Sequence, residues 1–330
     1  MIKKIGFGGQ FAVGLAIVLA LAAPSVLYPV FLMKVLCFAL FACAFNLLIG
    51  FTGLLSFGHA AFFGGAGYLA GFGITRLGLS PECGIVLGTA FGAFIGLLMG
   101  SLAIRRQGIY FTMITLALAQ MLYFVFLQAK FTGGEDGLQG VPRGKLFGLV
   151  DLSNDLVMYY LVLAIVIGGI VFIRRVVHSH FGQVLKAIKE NEPRAVSLGY
   201  DVDRYKLLAF VLSAALAGLA GATKVVVLGF ETLTDVHWSM SGLVVLMTLV
   251  GGLGTLAGPV VGAMIIIALE NKLGDTGDWL ANTTGIDWFH AIGESVTIVT
   301  GLIFIVCVLV FRRGIVGELA ARFGAAKARS

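Results

Sequence analysis

Charged residues are scarce in this sequence. Only 12% of its 330 residues are Asp, Glu, Lys or Arg, whereas 59% are hydrophobic. In a soluble domain roughly a quarter of all residues are charged, so the composition excludes an ordinary water-soluble fold. The few charges leave a net charge of +6. Basic loops on the inner side of a membrane account for this excess, so we do not expect a nucleic-acid-binding surface.

The sequence also lacks the motifs of catalysis and of bound cofactors. No glycine-rich loop is followed by Lys-Ser or Lys-Thr, so the chain should not bind ATP itself. His178 and His180 stand two residues apart on a charged loop, which favours a solvated surface over a metal site. We expect no enzyme activity, no cofactor and no metal. The cysteines show no metal-ligand spacing, and we expect packing roles without a disulfide; they are Cys37, Cys43, Cys83 and Cys307.

Long apolar runs are what the sequence has instead. A helix needs about 20 apolar residues to cross roughly 30 Å of hydrocarbon, and such runs recur along the chain. The sequence therefore predicts an all-α, polytopic helical bundle that forms a single transmembrane domain over residues 1–330. We count about ten spans, and eight to ten fit the pattern. The predicted spans are residues 11–23, 30–50, 54–75, 83–104, 108–128, 156–173, 205–229, two within 239–269, and 291–311.

Two glycine-rich breaks interrupt the apolar runs. One is residues 50–59, GFTGLLSFGH, and the other is residues 251–259, GGLGTLAGP. A single crossing by residues 239–269 would place the basic C-terminal tail outside, against the positive-inside tendency. We favour two shorter spans broken at the glycines, which put both termini in the cytoplasm. Broken spans are tolerated where protein or a water-filled cavity surrounds the backbone.

Two polar segments separate the spans. Residues 130–155 are acidic and glycine-rich, and alternation of the spans places them outside. Residues 174–206 are basic, so we place them in the cytoplasm. In this second loop Val184, Leu185 and Ile188 recur at helical spacing, and Asn191 is a good N-cap. We therefore expect two short surface helices with an apolar edge on which a soluble partner docks.

Polar residues inside or beside the spans are functional candidates. Two interpretations stay open: the side chains line a translocation pathway, or they hydrogen-bond neighbouring helices. Ser56 and His59 share one helical face with Phe63. Lys224 lies near the outer end of its span, from which its ammonium group could reach the interface. The pathway candidates are Asn46, Thr52, Ser56, His59, Thr112, Thr115, Gly252, Gly254 and Thr255.

Several blocks in this order resemble the branched-chain amino acid ABC transporter permeases of the LivM type. They are residues 53–63 (GLLSFGHAAFF) with Gly67-Tyr68, residues 110–117 (YFTMITLA), residues 132–138 (TGGEDGL), residues 181–199 and residues 251–259 (GGLGTLAGP). The resemblance covers roughly residues 40–270. Lys224 departs from the pattern, where an uncharged residue is expected.

The resemblance implies a permease subunit of the bacterial inner membrane that works with partner chains. These are a homologous second permease, two cytoplasmic ATPases and a periplasmic binding protein. Residues 174–206 would be the ATPase-coupling loop, and residues 130–155 would receive the loaded binding protein. The implied coupling residues are Gly182, Ala187, Ile188, Glu190, Asn191, Glu192, Ala195 and Gly199.

The substrate stays open at this stage. Branched-chain amino acids are what the family implies, while other amino acids, urea and short-chain amides fit similar permeases. An ion-coupled secondary transporter is the alternative of another class, but it would carry charged residues deep in several spans. An intramembrane enzyme would need a nucleophile–base pair or a metal set.

Overall fold

The helices of the computed structural model follow the predicted apolar runs. The structure describes residues 18–25, 27–284, 301–302, 305 and 314–318. The predicted first and last spans, as well as Cys307, lie mostly or wholly outside these residues. The helices are α1 (Pro29–Thr52), α2 (His59–Arg76), α3 (Pro81–Ala103), α4 (Ile109–Gln128), α5 (Asp155–His178), α6 (His180–Glu190), α7 (Glu192–Ser197), α8 (Val202–Leu228), α9 (Trp238–Gly251) and α10 (Gly258–Thr284).

Local sequence signals set the helix ends. Pro29 and Pro81 lie in the first turns of α1 and α3, where a missing amide hydrogen has no helical partner to lose. The Asn154 side chain accepts a hydrogen bond from the backbone nitrogen of Leu156 and caps α5. Gly229 ends α8 with a φ of +78°, a left-handed conformation that favours glycine.

Five described helices, α1, α3, α4, α5 and α8, are long and apolar enough to cross a bilayer. Helix α2 has 18 residues, and its glycines, together with His59 and Arg76 at its ends, lower its mean hydropathy. The polytopic helical fold is therefore confirmed, while the full number of spans stays a prediction.

The predicted break at the second glycine-rich segment is present. Helix α9 ends at Gly251 and α10 begins at Gly258. The two helices pack closely, because a Cβ atom on Gly262 would lie 1.8 Å from the carbonyl oxygen of Met247. Residues 238–284 are thus two packed helices instead of one long one.

The core lies where α8 packs against α1, α2 and α3. Glycines bring these backbones together: a Cβ on Gly92 would lie 2.8 Å from the carbonyl oxygen of Ala214, and one on Gly221 would lie 1.9 Å from that of Phe63. Close backbone approach allows dense dispersion contact, which holds helices together in lipid. Aromatic rings fill the remaining space, as in the stacked pair Phe41 and Phe63.

Contacts between loops identify the two ends of the bundle. At one end Gln107, which follows α3, donates to Glu192 of α7. At the other end residues 138–139 pair with residues 230–231, antiparallel, as strands β1 (Leu138–Gln139) and β4 (Phe230–Glu231). A second antiparallel pair there joins β2 (Lys145–Leu146) and β3 (Val150–Asp151). Residues 174–206 and 130–155 therefore lie at opposite ends of the bundle, while the side of the membrane on which each end lies stays a prediction.

Candidate functional site

The loop of residues 174–206 contains the two short helices that its sequence predicted. We call it the coupling loop after the role that the family resemblance implies. Ser179 caps α6 by accepting a hydrogen bond from the Gly182 nitrogen at 3.4 Å. Asn191 caps α7 by accepting one from the Arg194 nitrogen at 3.0 Å. Gly199 follows with a φ of +86°, and the chain then enters α8. Capping fixes both helices against the ends of α5 and α8.

Gly182 lies where α6 meets the end of α5. A Cβ atom at this position would lie 2.3 Å from the carbonyl oxygen of Val177. Any side chain would therefore push α6 away from α5. Gly182 sets the position of the loop and is itself buried.

The apolar edge of the loop faces the protein, contrary to the expectation that it forms the docking surface. Leu185, Ile188 and Ala195 are buried. Ile188 and Ala195 form a small separate cluster with Val202. Burial of these side chains stabilises the loop on the bundle, so Ile188 and Ala195 position the loop instead of presenting a contact.

Exposed apolar side chains lie elsewhere in the same loop. Val196 is 57% exposed and Leu198 is 68% exposed, and neither was chosen from the helical pattern. Val196 lies on α7 and Leu198 directly follows it; this helix has only six residues, too few for periodicity to separate its inner from its outer face. Ala187, Glu190, Asn191 and Gly199 are also exposed, which keeps them as contact candidates.

Glu192 is engaged inside the protein. Its Oε1 atom lies 2.6 Å from Nζ of Lys206 and accepts a hydrogen bond from Gln107 at 2.9 Å. Lys206 is only 3% exposed. Glu192 thus ties α7 to α8 and to the α3–α4 connection.

Asn46, which lies in α1 one turn before the first glycine-rich break, bonds to the second break. Its Nδ2 atom donates to the carbonyl oxygen of Thr255 at 2.8 Å, and its Oδ1 atom accepts from the Gly254 nitrogen at 2.9 Å. The fit leaves no room for a side chain at Gly50, whose Cβ would lie 2.9 Å from the Gly254 nitrogen. The buried amide therefore satisfies backbone groups that the break of the helix exposes.

Helix α6 is bonded to the end of α1 at the same place. Nζ of Lys189 donates to the carbonyl oxygen of Gly50 at 2.7 Å. A cation at a helix C-terminus satisfies a free carbonyl and opposes the helix dipole. The coupling loop thus contacts α1 close to Asn46.

The other break, after α1, is held by α4 and by local contacts. Thr112 donates to the carbonyl oxygen of Leu55 at 2.9 Å, and the Phe57 nitrogen donates to Thr115 at 3.3 Å. Ser56 accepts from the Gly58 nitrogen at 3.1 Å. Thr52 donates to the carbonyl oxygen of Leu48 in its own helix. These hydroxyl groups satisfy backbone groups of the break.

His59 lies in an aromatic cage. It is fully buried, and Phe45, Phe62 and Phe210 contact its ring edge-on. Ser213 donates to the carbonyl oxygen of Ala44 at 2.5 Å, so His59 Nε2 donates to the Ser213 oxygen at 2.9 Å. The His59 side chain bonds α2 to α8.

At the opposite end, β1 and β4 form what we call the outer platform, residues 137–141 and 229–236. The Val141 nitrogen donates to the carbonyl oxygen of Gly229 at 2.9 Å. Arg143 continues this contact, since Nη2 donates to the carbonyl oxygen of Val227 at 3.0 Å and Nη1 lies 2.5 Å from Asp155. The loop of residues 130–155 is thus attached to the end of α8. The sequence did not predict these strands, because two-residue strands have no periodicity.

The ammonium group of Lys224 is paired inside the protein and does not extend to the solvent, contrary to the expectation from the sequence. Its side chain is 3% exposed, with Nζ 2.5 Å from Asp235 Oδ2 and 3.2 Å from Glu231 Oε2. Asp235 also accepts from the Thr232 hydroxyl at 2.7 Å. Lys224 meets two buried carboxylates on the outer platform, which is why a charge is tolerated there.

The cluster around Lys224 holds two carboxyl groups for one ammonium group in the described residues. Burial raises the pKa of the Glu231 carboxyl well above its ordinary value; Lys224 opposes this shift and Asp235 adds to it. Gly67 makes room for the carboxyl group, since a Cβ there would lie 2.5 Å from Glu231 Cδ. The Tyr68 hydroxyl of the same helix as Gly67 is buried and has no hydrogen-bond partner among the described residues.

Comparison with known proteins places these features in a family. The model of the family described as branched-chain amino acid transport system / permease component matches residues 27–311. The chain is 26% identical over 257 residues to the high-affinity branched-chain amino acid transport system permease protein LivM of Salmonella typhimurium, covering 71% of this chain and 60% of the relative. The match therefore spans less than two thirds of that relative.

Two further relatives carry other names. The autoinducer 2 import system permease protein LsrC of Klebsiella pneumoniae is 30% identical over 193 residues, covering 57% of this chain and 53% of the relative. The fructose import permease protein FruG of Bifidobacterium longum is 25% identical over 264 residues, covering 74% of this chain and 71% of the relative. Since the family model covers most of the chain, including the coupling loop and both glycine-rich breaks, this protein belongs to the family of branched-chain amino acid transport permeases.

Proposed function

We propose that this chain is the transmembrane subunit of an ATP-binding-cassette importer that moves branched-chain amino acids inward across the bacterial inner membrane. Its partners are a homologous second permease, two cytoplasmic ATPases and a periplasmic binding protein. The description of the family and the match to LivM support the transport role and the substrate class. Membership of the family favours this function over an ion-coupled secondary transporter.

The observation that carries the ATPase contact is the exposed apolar pair in the coupling loop. Val196 and Leu198 are exposed beside Arg194 and Glu190. Apolar side chains on a fixed, capped loop suit insertion into a groove, while the surrounding charges orient the partner. The exposed end of α6, with Ala187 and Asn191, extends the same surface.

We infer that the polar residues considered as pathway candidates hold the two glycine-rich breaks in place and do not line a pathway. Asn46, Ser56 and His59 are buried and hydrogen-bonded within this chain. A substrate pathway in a two-permease importer needs surface from both subunits, and buried groups of one chain do not provide that surface. The break residues Gly252, Gly254 and Thr255 act as the joint between α9 and α10.

Purification from the native membrane tests the assembly. The tagged chain is extracted in mild detergent, and mass spectrometry identifies the proteins that accompany it. We expect a second permease and two copies of an ATPase. Recovery of the folded chain without ATPase would contradict the importer.

Uptake tests the substrate class. The purified complex is placed in proteoliposomes with ATP and its own binding protein, and radiolabelled leucine, isoleucine and valine are compared with urea, acetamide and fructose. We expect ATP-dependent accumulation of the branched-chain amino acids. Accumulation of fructose or urea instead would keep the importer and replace the substrate.

A further inference from the structure

Helix α8 carries two buried lysines, one near each end. Lys206 and Lys224 are each 3% exposed, and residues 207–223 between them contain no charged side chain. The lysines are 18 residues apart, which corresponds to about 27 Å along a helix. This is close to the roughly 30 Å thickness of the hydrocarbon core, so one lysine lies at each boundary of the apolar part.

Each lysine binds a carboxylate on a different polar segment. Lys206 pairs with Glu192, the first residue of α7 in the coupling loop. Lys224 pairs with Glu231 and Asp235 on the outer platform. One helix is therefore bonded to both polar ends of the protein.

Between these two lysines α8 is closely packed against its neighbours. Its residues 202–228 contain no proline, and glycine contacts seat it directly on the backbones of α2 and α3. A Cβ on Gly221 would lie 1.9 Å from the Phe63 carbonyl oxygen, and one on Gly218 would lie 3.1 Å from that of Gly88. A tightly seated helix moves as one body, because packed interfaces do not deform continuously.

Stability alone is a poor explanation for these anchors. Buried ion pairs add little net stability, and apolar side chains of similar size often serve as well or better. What ion pairs supply is a defined geometry, because a buried lysine without its carboxylate is strongly unfavourable. Two such anchors on one helix fix the position of α8 relative to both ends.

We propose that α8 is a rigid strut that links docking of the binding protein on the outer platform to the ATPase-facing coupling loop, with Lys206 and Lys224 as the positioning residues that fix its ends. This rests on the proposed function, in which the loop of residues 130–155 receives the binding protein and residues 174–206 contact the ATPases. The strut gives a reason for a lysine at position 224, where the resemblance to the family leads us to expect an uncharged residue.

The test compares variants of the complete transporter in lipid nanodiscs. The outer-anchor variant combines Lys224→Met, Glu231→Gln and Asp235→Asn, which removes every charge of that cluster at similar side-chain size. The inner-anchor variant combines Lys206→Met and Glu192→Gln. For each complex we measure basal ATP hydrolysis, and then the stimulation of hydrolysis by the loaded binding protein.

We expect the outer-anchor variant, whose changes lie at the opposite end from the coupling loop, to keep its ATPases and its basal hydrolysis; for the inner-anchor variant, stimulation is expressed relative to its own basal rate. Stimulation by the binding protein should fall by about tenfold or more, the size of an ordinary coupling between two sites. Combining both anchor variants should lower stimulation no further than one alone, because either change breaks the same link. Lys206→Arg alone, which keeps the charge and leaves Glu192 in place, should retain most of the stimulation.

Thr223→Val is the matched control. Thr223 lies on the same helix directly before Lys224, and its hydroxyl donates to the carbonyl oxygen of Leu219 at 2.7 Å, within the helix itself. It should keep full stimulation. Full stimulation in both anchor variants would overturn the strut, as would an equal loss in Thr223→Val. A wild-type complex that binds no ATPase or shows no stimulation would overturn the proposed function and the strut with it, which separates that outcome from failure of the strut alone.

Discussion

The ammonium group of Lys189 donates a hydrogen bond to the carbonyl oxygen of Gly50 at 2.7 Å. This bond joins α6 of the coupling loop to the last turns of α1. One turn earlier in α1, Asn46 bonds both Gly254 and Thr255 at the break between α9 and α10. The coupling loop and the glycine break are therefore in contact through α1.

Replacement of Gly182 by alanine should disturb the coupling loop. The added methyl group would lie 2.3 Å from the Val177 carbonyl oxygen, and overpacking of this kind costs about 1–3 kcal/mol. We expect a lower melting temperature and reduced ATP-driven uptake in proteoliposomes. Gly168→Ala is the control, because no atom in the described part of the chain lies within 4 Å of a Cβ there; equal behaviour of the two variants would show that α6 tolerates displacement.

Replacement of Val196 and Leu198 by serine should weaken ATPase binding without unfolding the chain. Both side chains are exposed, so their removal costs little in folding free energy, whereas buried apolar contacts in an interface contribute about 1–3 kcal/mol each. A pull-down with the tagged chain measures ATPase recovery. Leu149→Ser, at a position 88% exposed on the opposite end, should leave recovery unchanged. Undiminished recovery in the double variant would place the ATPase contact elsewhere.

Asn46→Leu should destabilise the protein. It removes the hydrogen bonds to the Gly254 nitrogen and the Thr255 carbonyl oxygen, and an intramolecular hydrogen bond contributes about 0.5–1.5 kcal/mol net. Thermal unfolding in detergent measures the loss. Thr89→Val removes only a bond within one helix turn and should change the melting temperature much less. Equal melting temperatures of the two variants would show that the hydrogen bonds of Asn46 stabilise the protein no more than a bond within one helix turn does.

His59→Leu separates a packing role from a pathway role. His59 is enclosed by three phenylalanines and bonded to Ser213, so we expect less folded protein and a lower melting temperature. The fraction that folds should transport with an unchanged KM, since the side chain has no exposed surface in this chain. A changed KM at unchanged stability would favour the pathway role.

The Glu231 carboxyl should make stability depend on pH. Its pKa is raised in the folded protein, chiefly by burial. Such a group supports folding fully below its ordinary pKa, and this support is lost as the pH rises through the raised folded value. Glu231→Gln should therefore gain in melting temperature relative to wild type as the pH rises above the ordinary carboxyl range. A difference between the two proteins that does not change with pH would show that Glu231 keeps one protonation state.

Sequence reasoning succeeded where the signal is local. The cap at Asn191 and the break at residues 251–259 depend on neighbouring residues, and the structure has both. It failed where partners are distant or lie on irregular backbone. Asn46 and Thr255 are 209 positions apart, so their bond has no sequence signal. The inward orientation of Ile188 depends on Ala195 and Val202, beyond the end of its own helix.

The cluster around Lys224 also bears on how the chain is made. A lysine within an apolar helix makes entry into the bilayer less favourable during synthesis, by up to about 3 kcal/mol at the helix centre and less near an end. Glu231 follows Lys224 by only seven residues, and Asp235 comes shortly after. The counter-charges therefore leave the ribosome about a second later at ordinary elongation rates. Helix α8 and the segment up to Asp235 form one unit for membrane insertion, and a chain divided directly after Leu228 would leave a lysine in the bilayer without its carboxylates.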